Sequence, residues 1–450
     1  MQKKFTLLLL ALSLFCRPIK AQSWSELGGL NGLAANNVIN SVCSDASGNI
    51  YAAGYMTNSS GKYYVAKYDG TSWSELGGLN GLAANDKILS ICSDSLGNIY
   101  AAGWFTNSSG KYYVAKYNGS AWSELGGLNG LAAYDWIQSV CSDASGNIYA
   151  AGGFMNSTSK KYVAKYNGSS WSELGGLNGL SANNWILSVC SDASGNIYAA
   201  GDFTNSSPKH YVAKYDGNTW SELGGLNGLA AYGRISSVCT DASGNIYAAG
   251  YFSNSSGNRY VAQYNGSAWS ELGGINGLAA NDKIISICSD SFGYIYAAGW
   301  FTNSSANKYV AKYNGSIWSE LGGLNGLAAN NWILSVCSDA SGNIYAGGTL
   351  SNSSGNFYVA RYGLTTGLYE TSTAGKDVVV YPNPGTGELN VQSSNFIVNR
   401  IEIYNALGKE IYGQTINSDR QTLDTKLNAG IYFVKLFDGE KSYCRKIIVE

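Results

Sequence analysis

The sequence predicts an all-β fold, a β-propeller of seven four-stranded blades followed by a smaller strand-rich segment. One 49-residue unit recurs seven times in the 450-residue chain, and each unit holds four strand-like runs. A unit of this length cannot bury its apolar face alone, so repeats stack into arrays or close into rings. Composition agrees. With 57 Gly, 4 Pro and 34 Tyr, the chain suits many short strands joined by tight turns. The formal net charge of −1 argues against nucleic acid or an anionic membrane surface as partner.

Lys3 and Lys4 precede an apolar run from Phe5 to Phe15, and a small residue, Ala21, ends the stretch. This is the layout of a secretory signal peptide over residues 1–21. A lipoprotein site at Cys16 is the minor alternative, with Phe15 before it a poor fit. The apolar run is short for a membrane span, so no transmembrane segment is expected in the mature chain.

The repeats occupy residues 22–362. Trp24, Trp73, Trp122, Trp171, Trp220, Trp269 and Trp318 keep the 49-residue period, as do Cys43, Cys92, Cys141, Cys190, Cys239, Cys288 and Cys337. In the first unit, strand A is Ser41-Val-Cys-Ser-Asp45 and strand B is Asn49-Ile-Tyr-Ala-Ala-Gly54. Strand C is Tyr63-Tyr-Val-Ala-Lys-Tyr68 and strand D is Trp73-Ser-Glu-Leu76. Each run is bounded by turn residues. Four such strands make a blade, with A innermost. The array begins with a lone D strand at Trp24 and ends with a C strand, Phe357 to Tyr362. The N-terminal D strand is therefore expected to complete the seventh blade, leaving no open sheet edge. The Asp-x-x-Gly turn differs in spacing from the sialidase Asp box, so no sialidase chemistry is carried over.

The cysteines read as small buried residues between blades. Stacked sheets lie about 10 Å apart, while a disulfide needs Cα atoms within about 7 Å. Cys444 has no evident partner, and no Cys/His spacing matches a metal site. No motif asks for a cofactor or a metal.

After the repeats, residues 363–376 are rich in Thr, Ser and Gly and read as a linker. Alternating runs then return without the period. Tyr381-Pro-Asn-Pro384, Ile403-Tyr-Asn-Ala-Leu-Gly-Lys409, Gly430-Ile-Tyr-Phe-Val-Lys435 and Lys446-Ile-Ile-Val449 stand out. In this order they resemble the type A sorting domain of the type IX secretion system of Bacteroidetes, the Por secretion tail. The resemblance implies that residues 377–450 form a small Ig-like β-sandwich. It implies the type IX machinery as partner and a product secreted or held at the outer cell surface.

Positions that differ between near-identical units mark where function can sit. They cluster before strand A and after strand B, at one end of the ring. Paired across the hairpin, they read Val38/Tyr55, Lys87/Trp104, Trp136/Gly153, Trp185/Asp202, Arg234/Tyr251, Lys283/Trp300 and Trp332/Thr349. Each blade supplies one aromatic, never two, so the paired residues should touch. Packing between blades would produce this pattern. So would an aromatic-lined mouth, with Tyr134, Tyr232 and many asparagines beside it, suited to sugar rings that present apolar patches edged by hydroxyls. The ligand-binding candidates are Tyr55, Lys87, Trp104, Tyr134, Trp136, Trp185, Tyr232, Arg234, Tyr251, Lys283, Trp300 and Trp332.

Catalysis has thinner support. His210, the single histidine, reads as a solvated loop residue beside Pro208 and Lys209. Glu26 and Asp45 recur in every unit and read as architecture, and Asp69 and Asp216 as turn residues. Asp86, Asp135, Asp202 and Asp282 share the variable end and remain weak candidates for a carboxylate pair. The expected function is an extracellular binding module, with glycan the favoured ligand. A polysaccharide-degrading enzyme (hydrolase or lyase) and a protein-binding adhesin or scaffold are the alternatives.

Overall fold

The computed structural model describes residues 22–364, 378–381, 388–393, 397–405, 410–425, 427–437 and 442–449. The expected signal peptide and residues 365–376 of the linker lie outside them. The chain divides into two compact units, residues 21–364 and the C-terminal segment, and no helix occurs among the described residues.

The first unit is a ring of seven four-stranded antiparallel sheets. Blade 1 comprises strands A (Ile39–Ser44), B (Ile50–Thr57), C (Tyr63–Tyr68) and D (Trp73–Glu75). Strand C is shorter than expected in blades 2 to 6. In blade 2 it covers Ala115–Tyr117, while Tyr112 pairs separately with Thr106 and with Ala133 of the next loop. The run is shared between its own blade and the loop that leads to the next.

Strand A carries a bulge in every blade, between Ile39 and Ser41 in the first. Gly54 faces it. A Cβ there would lie 2.2 Å from the Val38 carbonyl oxygen, so only glycine lets the strands close.

Two hydroxyl rings fasten the blades around the axis. The Ser41 hydroxyl accepts the Ile91 amide of the next blade at 3.1 Å, and Ser335 accepts the Val42 amide to complete the circle. Ser93 donates to the Ser44 carbonyl at 2.7 Å, and Ser44 donates to that of Ser338. Outside these rings lies an apolar layer. Tyr51, Ala53 and Val65 of blade 1 pack on Ile88, Ile91, Ile99 and Phe105 of blade 2. A fully buried isoleucine such as Ile88 is worth about 1.5–3 kcal/mol.

The cysteines corroborate one expectation and correct its reasoning. Cα atoms of neighbouring A strands come within 8 Å, because strands converge on the axis, closer than the spacing of about 10 Å for stacked sheets used in the sequence argument. The seven propeller thiols are nonetheless free. They are half-buried, and Cys43 packs on the core of the next blade. Burial pushes these thiols well up, which keeps them protonated and inert.

The A–B turn is built on an aspartate. In blade 2, Asp94 accepts the Leu96 and Asn98 amides, the Asn98 side chain at 2.7 Å and the Tyr100 hydroxyl at 2.9 Å. Burial pushes the carboxyls of Asp94, Asp143 and Asp192 up, but these hydrogen bonds outweigh it and hold all three below the ordinary 3.8. The unfolded chain therefore binds protons first as pH falls. The stability they contribute is complete above the ordinary carboxylate value and is lost as pH drops through the lower folded values. Urea midpoints are expected to hold between about pH 7 and 5 and to fall below about pH 4. Asp94→Asn is expected to reduce that fall, and an unchanged acid limb in this variant would count against the assignment.

The N-terminal strand, Gln22–Glu26, completes blade 7 beside Ala360–Leu364. Gln22 pairs with Leu364 and Ser23 with Gly363, so both residues placed by sequence at the start of the linker belong to the strand.

In the C-terminal unit, strands Val378–Tyr381, Glu388–Ser393 and Arg420–Asp424 form one sheet. Val398–Asn405, Glu410–Ser418, Gly430–Phe437 and Ser442–Val449 form the other. Leu389, Val391 and Leu423 of the first meet Ile401, Ile403, Val434, Leu436 and Ile447 of the second in one buried core, a small sandwich. Residues 382–384 and 406–409 of the sequence motifs lie outside the described residues.

Candidate functional site: the aromatic mouth

The bulge draws the start of strand A against the end of strand B. The Tyr55 amide donates to the Val38 carbonyl at 2.8 Å, and the equivalent bond joins all seven variable pairs. In blade 3 the pair is Trp136/Gly153, and a Cβ on Gly153 would meet the Trp136 ring at 3.0 Å. A tryptophan on strand A therefore requires a smaller residue opposite, as at Trp136/Gly153, Trp185/Asp202 and Trp332/Thr349.

The rings also touch between blades. Lys87 Nζ lies 4.1 Å from the centroid of Trp104 in its own blade and 5.0 Å from Tyr55 in the previous one. Trp104 stacks on Trp136 at 6.1 Å, and Trp136 meets Trp185 edge-on at 5.6 Å. A second arc begins at Arg234, 4.0 Å over Tyr251. Lys283 lies 4.8 Å from Tyr251 and 4.0 Å from Trp300, which stacks on Trp332 at 4.3 Å. Each exposed cation–ring contact is worth about 0.5–1 kcal/mol.

None of these tryptophans is buried. Trp104, Trp185 and Trp332 are 38%, 41% and 39% exposed, and Trp136 and Trp300 are half-buried. Tyr134 and Tyr232 stand in solvent, with Lys111 and Lys209 over their rings.

A central cavity of about 420 Å³ is lined by four of these residues, Trp136, Trp185, Arg234 and Tyr251. Asn40, Leu89, Gln138, Leu187, Ser236, Ile285 and Leu334 line it too. These are the bulged residues of the seven A strands. Sequence reasoning missed them. Their signal was variation inside strand A, between an unvarying isoleucine and an unvarying serine.

The four candidate aspartates divide by role. Asp86, Asp135 and Asp282 each accept the amide of the next residue. Asn37, Asn184 and Asn331 do the same in other blades, so in these six blades the position uses an oxygen and not a charge, while blade 5 carries Gly233. Asp202 differs. It accepts the Asn184 side chain at 3.1 Å and lies 3.3 Å from His210 Nε2. That corrects the reading of His210 as a solvated loop residue. Its side chain is 16% exposed, because its backbone pairs with Ala231 of the next loop and draws the ring inward. No aspartate or glutamate lines the cavity, and the described residues hold no metal-competent cluster of His, Cys, Asp or Glu.

Residues 379–450 match the family described as the secretion system C-terminal sorting domain. The protein is a secreted β-propeller with a type IX sorting domain. The sorting domain marks proteins released from the cell or attached to its surface, and it implies engagement of the type IX machinery. No curated protein matches the chain. Among solved structures, the extracellular domain of BT3049 from B. thetaiotaomicron, a chain named for a hybrid two component system, superposes with a TM-score of 0.51 at 14% identity. The match covers 95% of this chain and 57% of that one. PorZ from Porphyromonas gingivalis, a surface component of the type-IX secretion system, gives a TM-score of 0.46 at 14% identity, over 89% and 58% of the two chains. The WD40 β-propeller domain of Doa1 gives a TM-score of 0.45 at 12% identity, over 73% and 93%. The secreted propeller thus spans under two thirds of the length of the first two chains, and the likeness bears on fold alone.

Proposed function

We propose that the protein is an extracellular glycan-binding module whose ligand enters the aromatic mouth. One observation carries this reading. Five tryptophans that vary between blades stand unburied at one end of the ring, and two of them, Trp136 and Trp185, line a concave cavity whose wall also carries amides and hydroxyls. A core would enclose such rings, whereas a saccharide face needs them bare. Enzymatic cleavage is less well supported, since three of the four aspartates serve the backbone.

The test is a glycan array probed with the protein and with Trp136→Ala and Trp185→Ala. Each variant is expected to weaken binding about 10- to 30-fold, with a thermal midpoint lowered by only a few degrees from the lost ring contacts. Equal binding by both variants, or no glycan retained by the parent, would overturn the proposal.

A further inference from the structure

We infer that the glycan is acidic and that Arg234 reads its carboxylate. This inference rests on the glycan-binding reading and adds the ligand class.

Arg234 is the only formally charged residue among those lining the central cavity. The equivalent positions hold Val38, Lys87, Trp136, Trp185, Lys283 and Trp332. Lys87 and Lys283 are each held between two aromatic rings, whereas Arg234 lies over Tyr251 alone. Its Nη2 donates to the Tyr251 hydroxyl, and its Nε is buried without a partner. Ion pairs among the described residues are His210 with Asp202 and Arg400 with Glu402, so no protein carboxylate neutralises this guanidinium. A guanidinium carries five donors in a planar fork that fits a carboxylate in two-point contact. The Nη hydrogens not given to Tyr251 are the ones a ligand oxygen takes.

The surroundings favour an anion. No acidic side chain lines the cavity, and Asp202 already faces His210 and Asn184. Trp136 and Trp185 line the same space and meet edge-on, offering ring faces beside the charge. An apolar ring face next to a carboxylate is the outline of a uronic acid residue. Arg234 stands where other blades carry Val, Lys or Trp, so substitution there should leave the fold intact.

The experiment measures binding of polygalacturonate, alginate and hyaluronan, each paired with its carboxyl-reduced form. The protein is compared with Arg234→Gln, Arg234→Lys and Trp136→Ala. At least one acidic polymer should be preferred over its reduced form by about 10-fold or more. Arg234→Gln should abolish that preference, Arg234→Lys should restore part of it, and Trp136→Ala should weaken both forms. Equal binding of acidic and reduced forms, with loss in Trp136→Ala, overturns the inference and leaves the glycan reading standing. An acid preference unchanged in Arg234→Gln also overturns it. No binding of any polymer overturns the inference, while failure on the wider array would overturn both.

Discussion

Deletion of residues 22–26 is expected to open the ring and destabilise the propeller by about 5 kcal/mol, with five backbone pairs contributing about 1 kcal/mol each. A loss of that size matches the whole stability of many domains, about 5–15 kcal/mol. Three further contacts leave with the strand. The Trp24 indole donates to the Leu321 carbonyl at 2.8 Å, as Trp73 does to Leu27 between the first blades. The Glu26 carboxylate accepts the Asn352 side chain and the Asn31 amide. Removal also bares the edge of Ala360–Leu364, an unpaired strand that invites pairing with a second chain. Urea unfolding and limited proteolysis should show a lower midpoint, rapid cleavage and concentration-dependent association. A subtler variant checks the symmetry of closure. Trp24→Ala should cost about as much as Trp122→Ala, roughly 2–3 kcal/mol for a half-buried indole with one hydrogen bond. An undiminished midpoint on deletion would mean that the ring does not depend on this strand.

Closure was legible because it follows from counting strands. A lone D strand at Trp24 and a missing one after Tyr362 leave few other solutions. The facing pairs at the mouth were legible for a related reason. A hairpin has one register, so outward counting from the turn at Ser47 places Val38 opposite Tyr55 or Met56, and the bulge in strand A settles the pair on Tyr55. What stayed hidden depends on how blades meet. The contacts of Lys87 with Tyr55, or of Trp104 with Trp136, join residues of different hairpins, and no local count relates them. Burial of His210 is a case of the same kind, set by pairing with the loop of the following blade. The bulged Asn40 and its equivalents were hidden differently. Strand alternation assigns that residue a face by parity, and a bulge breaks parity where the side chain turns to the cavity.

Deletion of residues 365–450 is expected to abolish appearance of the protein outside the cell while leaving the propeller folded. The two halves of this prediction rest on different grounds. Export follows from the match of residues 379–450 to the sorting family. Folding follows from where the contacts lie. The closing pairs run between Gln22–Glu26 and Ala360–Leu364, so the seventh blade needs nothing beyond Leu364. The sandwich has its own core of Leu389, Val391, Ile401, Val434 and Leu436, which includes no propeller residue. A chain built from two such cores should lose one without melting the other. Fractionation of producing cells should find the truncated protein retained inside, and its urea midpoint should match that of the full chain. Truncated protein in the medium at the parent level would refute the sorting role. Retention with a lowered midpoint would instead show that the propeller draws stability from the segment removed. The two measurements together thus separate an address from a structural support.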